Sequence, residues 1–341
     1  MICALCKEQE ADKKNTHFLT DCIIRNCLNL DGSIEREKGF YFNLSNSHPF
    51  IEFNFQRETN TDKLESSLGR QITDDEIQKA KVIPFSVANV FCSICENIFT
   101  EIESKFITKI LTKFRNADLS KIDSLNFEDV KLVRLFFYLQ VWRISICKEA
   151  FKLSDSTAEN LRQIIINNKT LTVNQLNYFP LSVTYLQTVG GEFEYTTNFV
   201  GFMVDKNLKI IFLNDFVIQF FENAESVSYL ECYGLNSEVD YLEFINRNEE
   251  QFKIKIFNNE KRKQFINKSI IDEKVKQTNQ VYKDEFFKIW FILFGEYPLD
   301  YIVEEYLRTF IESEFHILKY TKENFIEAAI KFIENKMTTE N

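Results

Sequence analysis

Cys3-Ala4-Leu5-Cys6 and Cys92-Ser93-Ile94-Cys95 are the two stretches on which the reading of this chain turns. A Cys-x2-Cys pair lets both sulfurs face one metal across a tight knuckle, and zinc in a structural site takes four tetrahedral ligands, preferring thiolate. Two pairs complete that shell, so the sequence predicts one structural Zn²⁺ held by Cys3, Cys6, Cys92 and Cys95. The second pair opens an apolar-periodic helix, whose exposed N–H groups favour the thiolate form. Ligation of this kind contributes on the order of 10 kcal/mol to the folding of the unit that carries it.

After the second pair, Ile94, Ile98, Ile102, Phe106, Ile110 and Phe114 recur every four residues, and Phe99, Ile107 and Leu111 widen the stripe. That is an amphipathic helix. Upstream, Val82–Phe91 reads as a strand leading into the cysteines. Residues 57–81 are polar, with Thr73-Asp-Asp-Glu76 as a capping box for one short helix, and read as an insertion. Gly39–Leu44 and Phe50–Phe55 read as strands, the second alternating Ile51, Phe53 and Phe55 with polar neighbours. His17 to Leu30 suits a short helix or an irregular segment. The four remaining cysteines, Cys22, Cys27, Cys147 and Cys232, lie apart from these pairs and read as small apolar packing residues.

Beyond about residue 118 the pattern changes. Residues 127–150 and 156–168 read as helices, the latter opened by Ser156-x-x-Glu159. Val183–Thr188, Phe199–Val204 and Leu208–Leu213 read as strands, the last two forming a hairpin across Asp205-Lys206-Asn207. Phe252, Ile254 and Ile256 alternate with lysines in another strand. From Lys283 the pattern is helical, broken at Gly295–Pro298, with a last helix at about 322–337. The expected class is α+β: a zinc-stabilised unit with an insertion over 1–118, then a larger mixed α+β region over 119–341 that ends in helices.

The chain is acidic overall, with 41 Lys and Arg against 51 Asp and Glu and a net charge of −10. Phosphate neutralisation supplies most nonspecific nucleic-acid affinity, so this balance points to work beside a partner rather than autonomous DNA binding. No apolar run reaches the ~18–20 residues of a membrane span. The N-terminus turns charged within a few residues, unlike a secretory signal. The expectation is a cytoplasmic protein with no membrane contact.

Cys3-Ala-Leu-Cys6, Asn15-Thr-His17 and Phe91-Cys-Ser-Ile-Cys-Glu-Asn-Ile-Phe-Thr-Glu-Ile-Glu103 together resemble the HNH-type (ββα-metal, treble-clef) endonucleases, over roughly residues 1–110. The resemblance implies a treble clef around the zinc and a second, catalytic divalent cation such as Mg²⁺. It implies His17 as general base, Glu96 at the family's metal-binding position on the helix, Glu103 as a further acidic position, and Asn89 as the nearest candidate for the asparagine that orients the histidine. Thr16 stands where the family commonly carries an Asp. The implied substrate is nucleic acid, DNA before RNA. The implied setting is a bacterial defence or restriction system with a protein partner such as an ATPase.

Two functions follow: a metal-dependent HNH-like nuclease whose 119–341 region serves specificity or a partner, and a non-catalytic zinc-stapled protein-binding module. His48, before Pro49 in a turn, and His316, among Phe315, Ile317 and Leu318, read as structural. Lys261-Arg262-Lys263 reads as a solvated charged face, with contact to nucleic acid as its functional alternative.

Overall fold

The computed structural model describes residues 1–28, 40–43, 52–55, 61–62, 65, 71–81, 85–115, 117–176, 178–187, 199–205, 207–232, 234–248, 250–311 and 325–339. Its first elements are β1 (Thr16–His17), α1 (Asp21–Leu28), β2 (Phe40–Asn43), β3 (Glu52–Phe55), α2 (Asp74–Lys81), β4 (Ser86–Val87) and α3 (Ser93–Phe106). There follow β5 (Ser124–Phe127), α4 (Val130–Cys147), α5 (Asp155–Ile166), β6 (Leu181–Leu186), β7 (Phe199–Asp205), β8 (Leu208–Leu213), β9 (Phe216–Phe221) and β10 (Phe252–Phe257). The chain closes with α6 (Asn259–Ile266), α7 (Val275–Phe294), α8 (Asp300–Ile311) and α9 (Phe325–Thr339).

Strands β6, β8 and β9 are buried at every position. A strand covered on both faces reads as a near-continuous apolar run, and Phe216-Val-Ile-Gln-Phe-Phe221 is one. They are the centre of an eight-stranded mixed sheet in the order β3-β2-β7-β8-β9-β6-β10-β5. The pairs β2–β7 and β6–β10 run parallel and the rest antiparallel. Successive residues of a strand serve opposite faces. Accordingly Phe216, Ile218 and Phe220 enter one apolar cluster, while Val217 and Phe221 enter the other.

The first cluster joins the sheet to α3, α4, α5 and the cysteine-bearing N-terminus. The second joins the opposite face to Phe265, Tyr282, Phe286, Tyr306 and Ile333 of the C-terminal helices. The result is a sheet with a helical layer on each side. Cys3, Phe18, Phe99 and Phe106 share their cluster with Trp142, Phe216 and Ile256, so residues before and after position 118 pack together.

Helix α4 is the centre of the first layer. Its Val130-Lys-Leu-Val-Arg-Leu-Phe-Phe-Tyr-Leu-Gln-Val-Trp-Arg-Ile-Ser-Ile-Cys147 has apolar residues all round, as a helix buried on every side does. Phe136 stacks on Phe106 of α3 at 3.7 Å between ring centres, and Phe137 lies 5.9 Å from Phe252 of the sheet.

Helix α3 carries the stripe expected from its sequence, with its phase corrected. Cys95, Phe99, Ile102, Phe106, Ile110, Leu111 and Phe114 are buried, whereas Ile94 is exposed. A strict four-residue repeat overshoots a 3.6-residue turn by about 40° per step. A π-helical turn at Ile107–Leu111, which has more residues per turn, absorbs that drift and keeps Ile110 and Phe114 inward.

Other expectations shift for local reasons. The strand foreseen over 82–91 is confined to Ser86–Val87 among the described residues, because the backbone turns left-handed at Phe85 and Asn89. Strands 40–43 and 52–55 pair as a hairpin, yet they join the edge of the large sheet rather than the cysteine unit. Helix α5 is capped by Ser154, whose Oγ accepts from the Thr157 N–H at 3.3 Å, and not by Ser156. The Glu159 expected to complete a box with Ser156 bonds Arg162 and Lys7 instead. Gly295, at φ 73°, ends α7 in the left-handed conformation that glycine adopts without strain. His48, His316, the side chain of Cys27 and the start of the last helix at Thr321 lie outside the described residues.

The Lys261-Arg262-Lys263 run is corrected at its middle residue, Lys261 and Lys263 being exposed as expected. Arg262 is buried and donates to the Leu186 carbonyl at 2.8 Å and to Asn214 Oδ1 at 2.9 Å, with Asp215 3.9 Å away. It clamps the β8–β9 turn to the end of β6. Hydrogen bonds from a charged donor contribute about 1.5–3 kcal/mol. Arg262→Ala is therefore expected to cost about 2–3 kcal/mol, read as a lowered midpoint in urea denaturation. No helix among the described residues is long and apolar enough to cross a membrane.

Candidate metal centre

The Sγ atoms of Cys3, Cys6, Cys92 and Cys95 all lie within 4.8 Å of one another. Tetrahedral thiolates at 2.3 Å from zinc stand about 3.8 Å apart, so the cluster matches the donor set and size of a four-thiolate zinc site. Among the described residues it is the one group of three or more metal-ligating side chains close enough to share an ion.

Local backbone builds each half. The first knuckle closes with Cys3 N–H donating to the Gln9 carbonyl at 2.8 Å and Lys7 N–H donating to the Cys3 carbonyl at 3.0 Å, Lys7 taking a left-handed conformation. Cys92 is the N-cap of α3 and its sulfur accepts from the Cys95 N–H at 3.4 Å. The Cys92 N–H reaches across to Cys3 Sγ at 3.3 Å, and Gln9 N–H donates to Cys6 Sγ at 3.5 Å. N–H donors of this kind stabilise thiolate.

The electrostatics are those of a site built for a cation. Burial and the neighbouring thiols push Cys95 and Cys92 up. At Cys6, partial burial acts upward but is outweighed by the backbone N–H groups of Gln9 and Glu8, and the thiol falls to about 7. A bound dication offsets the mutual repulsion of the four sulfurs.

The two halves are held together by more than sulfur. Ala4 N–H donates to the Val90 carbonyl, Lys13 N–H to the Phe91 carbonyl and Asn89 N–H to the Lys13 carbonyl. Asp12 accepts from the Ser93 N–H at 2.9 Å and from its hydroxyl at 3.1 Å, which holds its carboxyl below the ordinary range. Asp12→Ala removes this tie at the first turn of α3. It is expected to weaken zinc retention in a chelator competition without abolishing it, since N-terminal caps stabilise helices by about 0.5–2 kcal/mol.

Strand β1 pairs antiparallel with β4, Thr16 opposite Val87 and His17 opposite Ser86. The residues singled out in the sequence fall around it. Buried Thr16 donates its hydroxyl to Glu96 on the first turn of α3 at 2.6 Å. His17 lies next along the strand, its Nε2 3.4 Å from the carboxylate of Asp21. Glu103, two turns along α3, accepts from the Thr20 hydroxyl at 2.7 Å and forms an ion pair with buried Arg143 of α4. Asn89 is exposed at a left-handed turn beyond β4.

The structure therefore brings Thr16 and Glu96 together, sets His17 beside Asp21, and draws Glu103 into a polar joint with α4. In that joint Arg143 also donates to the His17 carbonyl at 3.0 Å, and Gln140 accepts from the Thr20 N–H at 3.1 Å. Asp21, Thr20 and Arg143 were missed in the sequence. Asp21 had a signal, a carboxylate four residues beyond His17. Arg143 sits inside an apolar helix, where only a buried partner explains a guanidinium.

Of the other cysteines, burial raises Cys147 and Cys232 to about 12, and Cys22 packs partly buried against the core, in keeping with inert roles. No family model, no curated protein and no solved structure matches this chain.

Proposed function

We propose that the zinc-stapled N-terminal unit is a treble clef of the HNH type, and that the chain is a metal-dependent nuclease acting on DNA beside a protein partner. The observation that carries this reading is the hydrogen bond from Thr16 Oγ1 to Glu96 at 2.6 Å. It ties the histidine-bearing strand to the first helical turn after the second cysteine pair, the two places that the resemblance assigns to base and metal ligand.

In this reading His17 takes a proton from the attacking water, and the Asp21 carboxylate orients the ring and stabilises its charged form. Glu96 and Asp21 offer the carboxylate oxygens that a Mg²⁺ or Mn²⁺ ion takes alongside substrate phosphate. Such an ion, when bound, neutralises charge on the scissile phosphate. Glu103, engaged by Arg143, holds the residues after the strand through the Thr20 hydroxyl, and Asn89 is a second candidate, beside Asp21, for orienting the imidazole. The net charge of −10 supports a partner, such as an ATPase, that holds the nucleic acid.

A second reading, the zinc-stapled protein-binding module, rests on Thr16 in place of a carboxylate and on the Glu103 charge already being met by Arg143. Nicking of supercoiled plasmid in Mg²⁺ or Mn²⁺ separates the two. Under the nuclease reading the chain nicks, alone or with its native partner, and His17→Ala slows nicking by about 10²–10⁴-fold with zinc content unchanged. Absence of nicking by the wild-type chain in both metals, alone and with its native partner, decides for the module.

A further inference from the structure

The C-terminal helical layer ends in an apolar tip. Phe291, Ile292, Leu293 and Phe294 close α7, and Tyr297, Leu299 and Tyr301 carry the chain into α8. All seven are exposed, Ile292 at 79%, Tyr297 at 67%, Leu299 at 62% and Leu293 at 58%. Single exposed apolar residues are ordinary, but a contiguous group of large ones marks an interaction surface.

The tip is held in shape. The Gly295 N–H donates to the Phe291 carbonyl at 2.9 Å, Tyr297 stacks back on Phe291 at 5.1 Å, and Trp290 lies 4.6 Å from Phe294. Beneath it Ile302, Val303 and Tyr306 are buried, with Tyr306 stacked on Phe286 at 4.3 Å. The exposed side chains thus stand on a packed base, which lowers the entropic cost of docking onto them.

Charge selects the occupant. From Phe291 to Glu305 the chain carries Glu296, Asp300, Glu304 and Glu305 and neither Lys nor Arg. Glu305 pairs with Lys336 of α9 at 2.6 Å, the same ammonium lying 5.7 Å from the Tyr301 ring, and the other three carboxylates are exposed within this stretch of sequence. A second copy would set carboxylates against carboxylates, and an anionic membrane surface would repel them. We infer that this tip docks a partner protein through an amphipathic segment whose apolar face is flanked by lysine or arginine.

The test uses the full chain and a fluorescein-labelled amphipathic leucine–lysine peptide, with a leucine–glutamate peptide of the same pattern as control. The expected result is saturable binding of the basic peptide alone. The double substitution Ile292→Asp with Leu293→Asp should weaken it about tenfold or more. Neutralising the rim with Glu296→Gln, Asp300→Asn and Glu304→Gln should weaken it severalfold and flatten its salt dependence. These positions are exposed, and unchanged circular dichroism and zinc content confirm that the variants fold. Equal binding of both peptides, no binding of either, or indifference to the tip substitutions overturns the inference. So does a concentration-dependent dimer, or binding to phosphatidylcholine–phosphatidylglycerol vesicles, that the Ile292→Asp, Leu293→Asp variant loses.

Discussion

Cys92→Ser is expected to strip the protein of its zinc, from about one ion per chain to almost none, and to unfold the N-terminal unit. Cys92 has three tasks at once. Its sulfur is one of the four close enough to share a metal ion, it caps α3 through the Cys95 N–H, and its own N–H supports Cys3. Serine can keep the cap but is a poor zinc donor at neutral pH. The loss is therefore the metal's share of folding, on the order of 10 kcal/mol for structural zinc sites. Chelation of the wild-type chain should produce the same change, visible as early proteolysis around residues 1–16 while the central sheet stays protected. Metal content by elemental analysis decides the point: a wild-type chain without zinc, or a Cys92→Ser chain that retains it, contradicts the four-cysteine site.

Arg143→Ala is expected to destabilise the fold by about 3–5 kcal/mol, the range for removing one partner of a buried ion pair. Its guanidinium meets Glu103, the His17 carbonyl, Thr20 and Gln140 in one joint, so truncation leaves several acceptors unpaired. The stranded Glu103 charge dominates that cost. Arg143→Met combined with Glu103→Gln should accordingly be less destabilised than Arg143→Met alone, by 1 kcal/mol or more (roughly the coupling range of contacting pairs). Denaturation midpoints of the zinc-loaded proteins measure both. A loss below about 1 kcal/mol for Arg143→Ala would show the joint to be solvated and unimportant.

Much of this was legible in the residues. The cysteine pairs needed only ligand chemistry, because two knuckles exhaust the coordination of one zinc. The strands Phe199–Asp205 and Leu208–Leu213 and the alternation in Phe252–Phe257 were legible because period-2 patterning is local. What escaped was nonlocal. Phe40–Asn43 looked like part of the cysteine unit, since nothing in its composition says that it pairs with Phe199 and Val200. The Lys261-Arg262-Lys263 run looked solvated, because a buried arginine is recognisable only once the carbonyl of Leu186 lies beside it. At the candidate site His17 and Glu96 stood out only through the resemblance carried by the cysteine motifs, while Asp21 and Arg143 depend on tertiary placement.

The strand order of the large sheet has a consequence for how the chain is made. Both flanks, β3–β2 on one side and β5 on the other, come from residues before 128, and the strands between them come from residues 181–257. A ribosome therefore delivers the rims of the sheet well before its middle. Until the middle emerges, β5 and the inner edge of the β2–β3 hairpin lack their partner strands, the template that invites association with other chains. The cysteine unit can close on its metal once residue 95 is out, tethering the early segment at both ends while it waits. Zinc supply during synthesis should then govern the soluble yield of the nascent chain as well as the stability of the finished one.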